Sequence, residues 1–439
     1  MPNVTQGFAD YLFGKSGQIT ASLRGRADAC RQDYLAVTAA GAAKNKRRWE
    51  ALLCRIPSGQ AELIGYSKKT DSKTAALING FNAHTLELDD GQRFGMIHLG
   101  APILSAVKAA WDENEIPEER FLDGVIMGYE AACRIAIAMQ PSHKNRGFHA
   151  SGTCGTIGAA VAAAFALGMD ELQMCRVLTC AAGSAAGMLE MQEQNSELKP
   201  YNVGRAAMDG LAAAYMGMTD YETPDDILGG ERGFYKTFSD RFDGEKLVEQ
   251  TDYFEIERIY IKPYASCRHS HSAVEAAIRL HTQLDPEQAD RVEVRTYRLG
   301  VKGHDHTDIP GVASAKLSTP YAVAAGLLLG RADLSVFEPL DDRILALAKK
   351  VTVVEDPALT AESPNKRIAI VTVQRKDGSV YSERVDYAKG DPENPMTEAD
   401  LDEKLRLLDA YAAKNQKNSS CVEKGTSQNW RQNTYEQYG

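Results

Sequence analysis

The sequence predicts a mainly α-helical protein, a large all-helical domain joined to a smaller α+β domain. Three observations carry that prediction. From residue 101 to 220, apolar side chains recur at helical spacing in segment after segment, with no strand pattern between them. Near residue 252 the texture changes to short alternating runs, as half-buried strands produce. At Leu401 helical spacing returns and runs to Ala413, which predicts that the last helix rejoins the first domain. The predicted division is discontinuous: residues 1–252 and 398–439 helical, residues 253–397 α+β. A chain of 439 residues is too long for one ordinary core, which fits two domains.

Taken in order, residues 5–43 read as helices, with Leu12, Leu23, Cys30, Tyr34 and Val37 on an irregular apolar face. Small residues from Ala36 to Ala43 suit close packing. The basic stretch from Lys44 to Trp49 reads as a turn or helix end on the solvated surface. Residues 50–66 hold a short apolar segment and a glycine-bounded loop. Ser72-Lys73-Thr74 can cap a helix running from Ala75 toward Asp89. Ile103, Val107, Ala110 and Trp111 mark the next helix, residues 112–117 a linker, and residues 121–138 an amphipathic helix. A loop from Pro141 to Gly155 leads to an alanine-rich run, Gly158 to Leu167, predicted to be a buried helix. Residues 172–191 and 204–216 add two more helices. In the second domain, residues 254–261, 292–297, 351–354 and 368–373 read as strands, and residues 274–284 and 319–329 as helices. Asp377-Gly378 is a turn into residues 381–385, which makes a hairpin. From Lys414 the tail is polar and predicted to be poorly ordered.

The totals exclude several function classes. Hydrophobic content of 44% and charged content of 25% are those of a soluble globular protein. A formal net charge of -10, a pI of about 5.5 and a single short basic run argue against a nucleic-acid partner or an anionic membrane. The N-terminus has no signal-peptide pattern, and the alanine-rich run is too short to cross a bilayer, so the expected protein is cytoplasmic. The eight cysteines form no C-x-x-C pair and the nine histidines no H-E-x-x-H, which predicts free thiols and no metal. Serine-hydrolase and P-loop motifs are absent. Gly152-x-x-Gly155-x-x-Gly158 follows a histidine-bearing loop and no strand, so these glycines serve packing rather than a dinucleotide.

Chemistry concentrates in five clusters. The first runs from Ala83 to His98 and carries His84, Glu87, Asp89, Asp90 and His98 across a helix end and a glycine-bearing loop. Its polar groups either build an active-site wall or are a solvated helix end. The second, Arg146 to Gly155, sets His149 in a Gly/Ser/Thr loop before a buried helix, suited to proton transfer near neutral pH. In the third, Lys199 and Arg205 flank a helix start, where two cations beside free N–H groups make an anion site. The fourth gathers Lys262, Arg268, His269 and His271 near the domain boundary, where pockets form. In the fifth, Tyr321 near a helix start is either an acid or a core residue.

These clusters, in this order and joined by Tyr387 to Met396, resemble the MmgE/PrpD family over about residues 5–410. The resemblance implies a helical domain closed by the C-terminal helix, a smaller α+β domain, and a cofactor-free active site in the cleft between them, usually in a homodimer. Carried over by motif, the implied site is Asp89, Asp90, His98, His149, Lys199, Lys262, His269 and Tyr321. The family's small di- and tricarboxylate substrates suit the cations Lys199, Lys262 and Arg268. Three positions depart from the pattern: Gly91 where a Thr or other polar residue is common, Leu99 for the usual Pro, and Asn202 where a His is common.

The expected protein is thus a cofactor-independent lyase, a dehydratase or decarboxylase of a small anionic carboxylate. Its catalytic candidates are Asp89, His98, His149, Lys199 and Tyr321. Its substrate-binding candidates are Asp90, Lys262, Arg268, His269 and Arg205. In this reading His149 or Asp89 is the base. Lys199 and Lys262 hold carboxylates and stabilise enolate-like charge. His98 or Tyr321 is the acid. An epimerase using the same site is a second reading, kept open by Gly91. A non-catalytic carboxylate-binding relative is a third.

Overall fold

The computed structural model describes residues 3–417, so most of the tail expected to be poorly ordered lies outside the described residues, and Lys414 itself is helical. The chain is 58% helical and 9% strand, mainly α as the sequence predicts. Helices α1 (Val4–Ser16), α2 (Ala21–Leu53), α3 (Ser72–His84), α4 (Gly100–Glu113), α5 (Glu118–Met139), α6 (Ala150–Leu167), α7 (Glu171–Ser184) and α8 (Lys199–Gly217) build the first part. Helix α9 (His271–His281), strand β1 (Ala289–Thr296), helix α10 (Thr319–Leu329) and strands β2 (Val351–Glu355), β3 (Ala369–Arg375) and β4 (Val380–Val385) build the second. Helix α11 (Glu398–Lys417) packs along α2.

Two apolar cores separate these parts. Helices α1 to α8 bury one, with α6 at its centre packed against both α5 and α8. The other lies between α9, α10 and one face of a sheet ordered β2-β1-β3-β4. In that sheet β1 runs parallel to β2 and antiparallel to β3, with Val292 opposite Val351 and Val294 opposite Val371. The hairpin β3–β4 turns at Asp377-Gly378, where Gly378 adopts φ 84°. Ala36, Val37, Ala40, Leu86, Leu88 and Leu408 belong to the second core, so α2, α11 and the loop after α3 bind the two parts together.

Several boundaries differ from expectation, each for a tertiary reason. Helix α2 does not end at the basic stretch, because Asn45 and Trp49 donate to the Asn82 side chain at 3.0 and 3.1 Å and hold that turn against α3. Asp71 rather than Ser72 caps α3, accepting from the Thr74 N–H at 3.0 Å. The same helix stops at His84, and Glu87 takes a left-handed φ of 57° beyond it. Helix α6 starts earlier than its alanine run. Gly158 is needed inside it, since a Cβ there would meet Ala132 Cβ at 2.6 Å and the Gly128 carbonyl at 2.8 Å on α5. Its 18 residues are long and apolar enough for a membrane span, but 89% of them are buried inside the fold. Residues 172–191 split at Ser184, and Gly187 at φ 151° turns the chain toward a single 3-10 turn at Leu189–Gln192. The strand expected at 254–261 is a 3-10 turn, Glu255–Arg258, followed by extended backbone that bridges Tyr260 to Gly91. Phe254, Ile256 and Ile259 lie in the helical core, so the chain changes cores later than the texture change at 252.

His143 shows how burial controls a proton here. Its Nδ1–H donates to the Phe238 carbonyl at 3.0 Å and its Nε2 accepts from the Thr153 hydroxyl at 2.8 Å. Burial pushes its pKa down to about 4. The unfolded imidazole protonates near about 6.5, so this stabilisation is complete above that pH and is lost as pH falls toward the folded value, to about 3 kcal/mol. Urea midpoints are expected to fall on acidification through this window, and His143→Gln is expected to flatten that part of the fall.

Candidate active site

Four helix ends supply the site. The C-terminus of α3 carries His84, the loop after it carries Glu87, Asp89, Asp90 and His98, and α4 follows. His149 is the N-cap residue of α6, and Lys199 is the first residue of α8. Helices α3, α4, α6 and α8 pack on one another, which brings these ends together. A Cβ on Gly204 would collide with the Leu77 carbonyl, so α8 lies close against α3 only because that residue is glycine. The second part of the chain adds Lys262, directly after the Gly91–Tyr260 bridge.

Asp89 is buried beneath two imidazoles. His84 Nδ1–H donates to Asp89 Oδ2 at 2.7 Å, and His98 Nδ1 lies 3.3 Å from the same oxygen and 2.9 Å from the Asp90 carbonyl. Burial opposes ionisation of Asp89, but the two histidines outweigh it and hold the carboxyl well below the usual range. The carboxylate and carbonyl acceptors place a proton on Nδ1 of both rings and leave Nε2 as the far atom of each. His149 stands beside them, its ring 5.8 Å from that of His84. Burial, then the Lys199 cation, keep His149 well below its ordinary value and so neutral.

Two ammonium groups meet one carboxylate. Lys199 Nζ bonds Glu87 Oε1, and Lys262 Nζ donates to Glu87 Oε2 and to the Glu87 carbonyl, each at 3.1 Å. Lys262 is fully buried. Burial opposes the Glu87 charge, but the two lysines outweigh it and hold the carboxyl well below its usual range. The adjoining cleft, about 50 Å³, is lined by Lys44, Arg48, His84, Glu87, Lys199 and Lys316 among others. Ligand atoms of His84, Asp89 and His98 lie within 4.8 Å of one another, the composition of a cation site. Lys262 Nζ at 3.9 Å from Asp89 Oδ1, with Lys199 nearby, opposes a divalent cation there and favours an anion.

The structure thus brings Asp89, His98, His149, Lys199 and Lys262 together. The five other sequence candidates have different surroundings. Asp90 turns away from the cleft, accepting the Gly100 N–H at 2.7 Å and the Tyr129 hydroxyl at 2.6 Å, and burial raises its pKa to about 6. Arg205 follows Lys199 by six residues, about 240° around a helix. It donates to the Ser184 and Ala186 carbonyls and pairs with Asp209. Arg268 clamps the 387–396 segment through Asp391 at 2.8 Å and the Lys389 carbonyl at 3.0 Å. Tyr321 is a core residue whose hydroxyl donates to the Val336 carbonyl at 3.1 Å and accepts from the Asp341 N–H at 3.3 Å. Tyr321→Phe is expected to leave turnover unchanged and to cost about 1 kcal/mol in urea unfolding. His269 sits in a neighbouring cluster, between the Tyr297 hydroxyl at 2.6 Å and Lys144 Nζ at 3.2 Å. Sequence reasoning passed over His84 and Glu87 as ligands of the site, although both stand in its first cluster.

Comparison with known proteins now bears on the geometry. Residues 7–246 match the family model described as the MmgE/PrpD N-terminal domain, and residues 264–427 that of the MmgE/PrpD C-terminal domain. The chain belongs to the MmgE/PrpD family. It is 26% identical over 354 residues to human cis-aconitate decarboxylase, covering 76% of this chain and 71% of that protein. It is likewise 26% identical over 358 residues to 2-methylcitrate dehydratase of Salmonella typhimurium, covering 75% and 73%. These relatives support a lyase of a carboxylate at the level of the MmgE/PrpD family.

The three departures from the family pattern have local explanations. Gly91 abuts Tyr260: a Cβ there would stand 2.5 Å from the Tyr260 hydroxyl and 2.7 Å from the Ile97 carbonyl. A phenol hydroxyl thus fills the space a side chain at 91 would take. Leu99 is buried in the helical core ahead of α4. Asn202 Nδ2 lies 3.4 Å from His149 Nδ1 and donates to the Met188 carbonyl at 3.0 Å.

Proposed function

We propose that this chain is a cofactor-independent lyase that removes water or carbon dioxide from a small di- or tricarboxylate. The observation that carries the reading is the convergence of Lys199 and Lys262 on one carboxylate beside the His84–Asp89–His98 cluster. Two preorganised ammonium groups in a dry site hold a substrate carboxylate and offset the enolate-like charge that grows when a neighbouring C–H or C–CO₂ bond breaks. The names of the 26% identical relatives, a decarboxylase and a dehydratase, support the same chemistry.

The hydrogen bonds favour exchanging the roles read from the sequence. His98 donates Nδ1–H toward Asp89 and the Asp90 carbonyl, so its Nε2 is the proton acceptor, and its side chain is 14% exposed, enough to be reached. His149 accepts from Asn202 at Nδ1, which puts its proton on Nε2 and makes it the donor. His98 is then the base, and the neutral His149 offers its Nε2–H as a hydrogen-bond donor to charge developing on the substrate. A homodimer is part of the reading. Seven of the ten large hydrophobic side chains exposed among the described residues lie between Leu172 and Tyr221, which concentrates apolar surface around α7 and α8.

A screen of di- and tricarboxylates followed by proton NMR in deuterated water tests the function. Appearance of an alkene or of carbon dioxide is expected, with His98→Asn slowing it by about a hundredfold or more. Deuterium entering a stereocentre without either product would replace the lyase by the epimerase. Binding with neither turnover nor exchange would leave a carboxylate-binding protein.

A further inference from the structure

Among the described residues, one cysteine stands in a setting unlike the others. Cys267 lies in the turn ahead of α9, half-buried, its N–H donating to the Lys316 carbonyl at 2.8 Å. His304 donates Nδ1–H to the Leu317 carbonyl at 2.9 Å, which turns its Nε2 toward Cys267 Sγ at 3.8 Å. Lys316 and Leu317 line the cleft with Glu87 and Lys199, so the pair is tied to backbone that forms part of the cleft wall.

The charges around the pair come from several elements. Lys144, on the short helix Ser142–Asn145, faces both groups, while Lys199 from α8 faces the thiol and Glu87 opposes them as an anion. Arg367, ahead of β3, adds a further cation. His269 lies against His304 with ring centroids 5.3 Å apart, and burial together with Lys144 keeps it neutral. Tyr260 and Tyr297 stay protonated because burial pushes both phenols up. Burial also opposes a Cys267 thiolate, but His304 and Lys199 outweigh it and bring the thiol to about 6, while the thiolate raises His304. Cys30, Cys133, Cys154, Cys175 and Cys180 are all shifted the other way by burial.

We propose that Cys267 and His304 form a thiolate–imidazolium pair that serves as a second proton-transfer element of the cleft, the imidazolium donating and the thiolate accepting. For a dehydration routed through this pair instead of His98, one proton moves from substrate to sulfur and one moves from His304 Nε2 to the departing hydroxyl. Transfer from the thiol back to the neutral imidazole restores the pair, with no net change in protons or electrons. The part played in turnover rests on the lyase reading, but the existence of the pair does not.

Alkylation by iodoacetamide as a function of pH, read at each cysteine of the full chain by peptide mass spectrometry, tests the pair without any substrate. The Cys267 midpoint is expected near 6. His304→Asn is expected to move it to about 8.5, the ordinary thiol value. An ordinary midpoint in the native protein, or one that His304→Asn leaves in place, would overturn the pair. With a carboxylate that is turned over, Cys267→Ser is expected to lower kcat about a hundredfold and to remove the acidic limb of the kcat/KM profile. An unchanged rate and profile would overturn the proton-transfer role even where the thiol titrates as expected. A failed substrate screen would bear on the lyase reading alone.

Discussion

Lys262→Met is expected to lower kcat/KM about a thousandfold, the scale of removing a preorganised charge from a site that stabilises developing negative charge. The side chain is fully buried and makes three contacts at once: Glu87 Oε2 and the Glu87 carbonyl at 3.1 Å, and Asp89 Oδ1 at 3.9 Å. Its bond to the carbonyl also holds Glu87 at φ 57°, a conformation that costs a non-glycine residue on the order of 1 kcal/mol or more. Methionine fills similar space, so the change is one of charge. It leaves Glu87 with Lys199 as its remaining ammonium partner, and a stability loss accompanies the loss of rate. The double variant Glu87→Gln/Lys262→Met separates the two effects. With both charges gone, the urea midpoint is expected to recover much of its loss while kcat/KM stays low. Recovery of both would mean that Lys262 serves only to balance Glu87.

Most of the sequence candidates that the structure gathers share one property: they stand at or beside a helix end. His149 and Lys199 mark the starts of α6 and α8, and the Asp89–His98 loop links α3 to α4. Helix ends are visible in a sequence because apolar periodicity stops there. Whether the other candidates join them depends on where a side chain points once the helices have packed. Arg205 shares a helix with Lys199 but faces another side, and Asp90 adjoins Asp89 yet turns toward α4 and Tyr129. Glu87 reaches the lysines through a left-handed backbone that no glycine or asparagine announces. Cys267 and His304 are 37 residues apart and meet only because both are tied to the Lys316–Leu317 segment. In the fold, alternation at 254–261 suggested a strand, but residues 255–258 form a 3-10 turn and only the backbone at Tyr260 pairs, with the loop at Gly91 rather than the sheet. Period alone cannot distinguish those two partners.

Arg134→Met is expected to cost about 3–5 kcal/mol in urea unfolding, the range for breaking a buried ion network from one side. Arg134 is 2% exposed, and its Nε donates to Glu130 Oε1 at 2.9 Å and lies 3.8 Å from Glu255 Oε1. Glu130 also accepts from the Tyr11 hydroxyl at 2.6 Å and the Glu255 N–H at 2.7 Å. Without the guanidinium, two carboxylates remain buried side by side. Adding Glu130→Gln removes one of those charges and is expected to restore part of the loss, whereas a merely cavity-based cost would not respond. The damage should also travel toward the site. Glu255 Oε2 accepts from Gln92 Nε2 at 2.8 Å, Gln92 Oε1 accepts from the Gly95 N–H at 2.6 Å, and the Gln92 backbone pairs with Ile97, next to His98. If this chain of contacts holds the loop, amides of residues 92–97 will exchange with deuterium faster in Arg134→Met than those of α6, under conditions where the protein stays folded. Equal protection in both segments would mean that Arg134 stabilises the helical core without ordering the loop that carries His98.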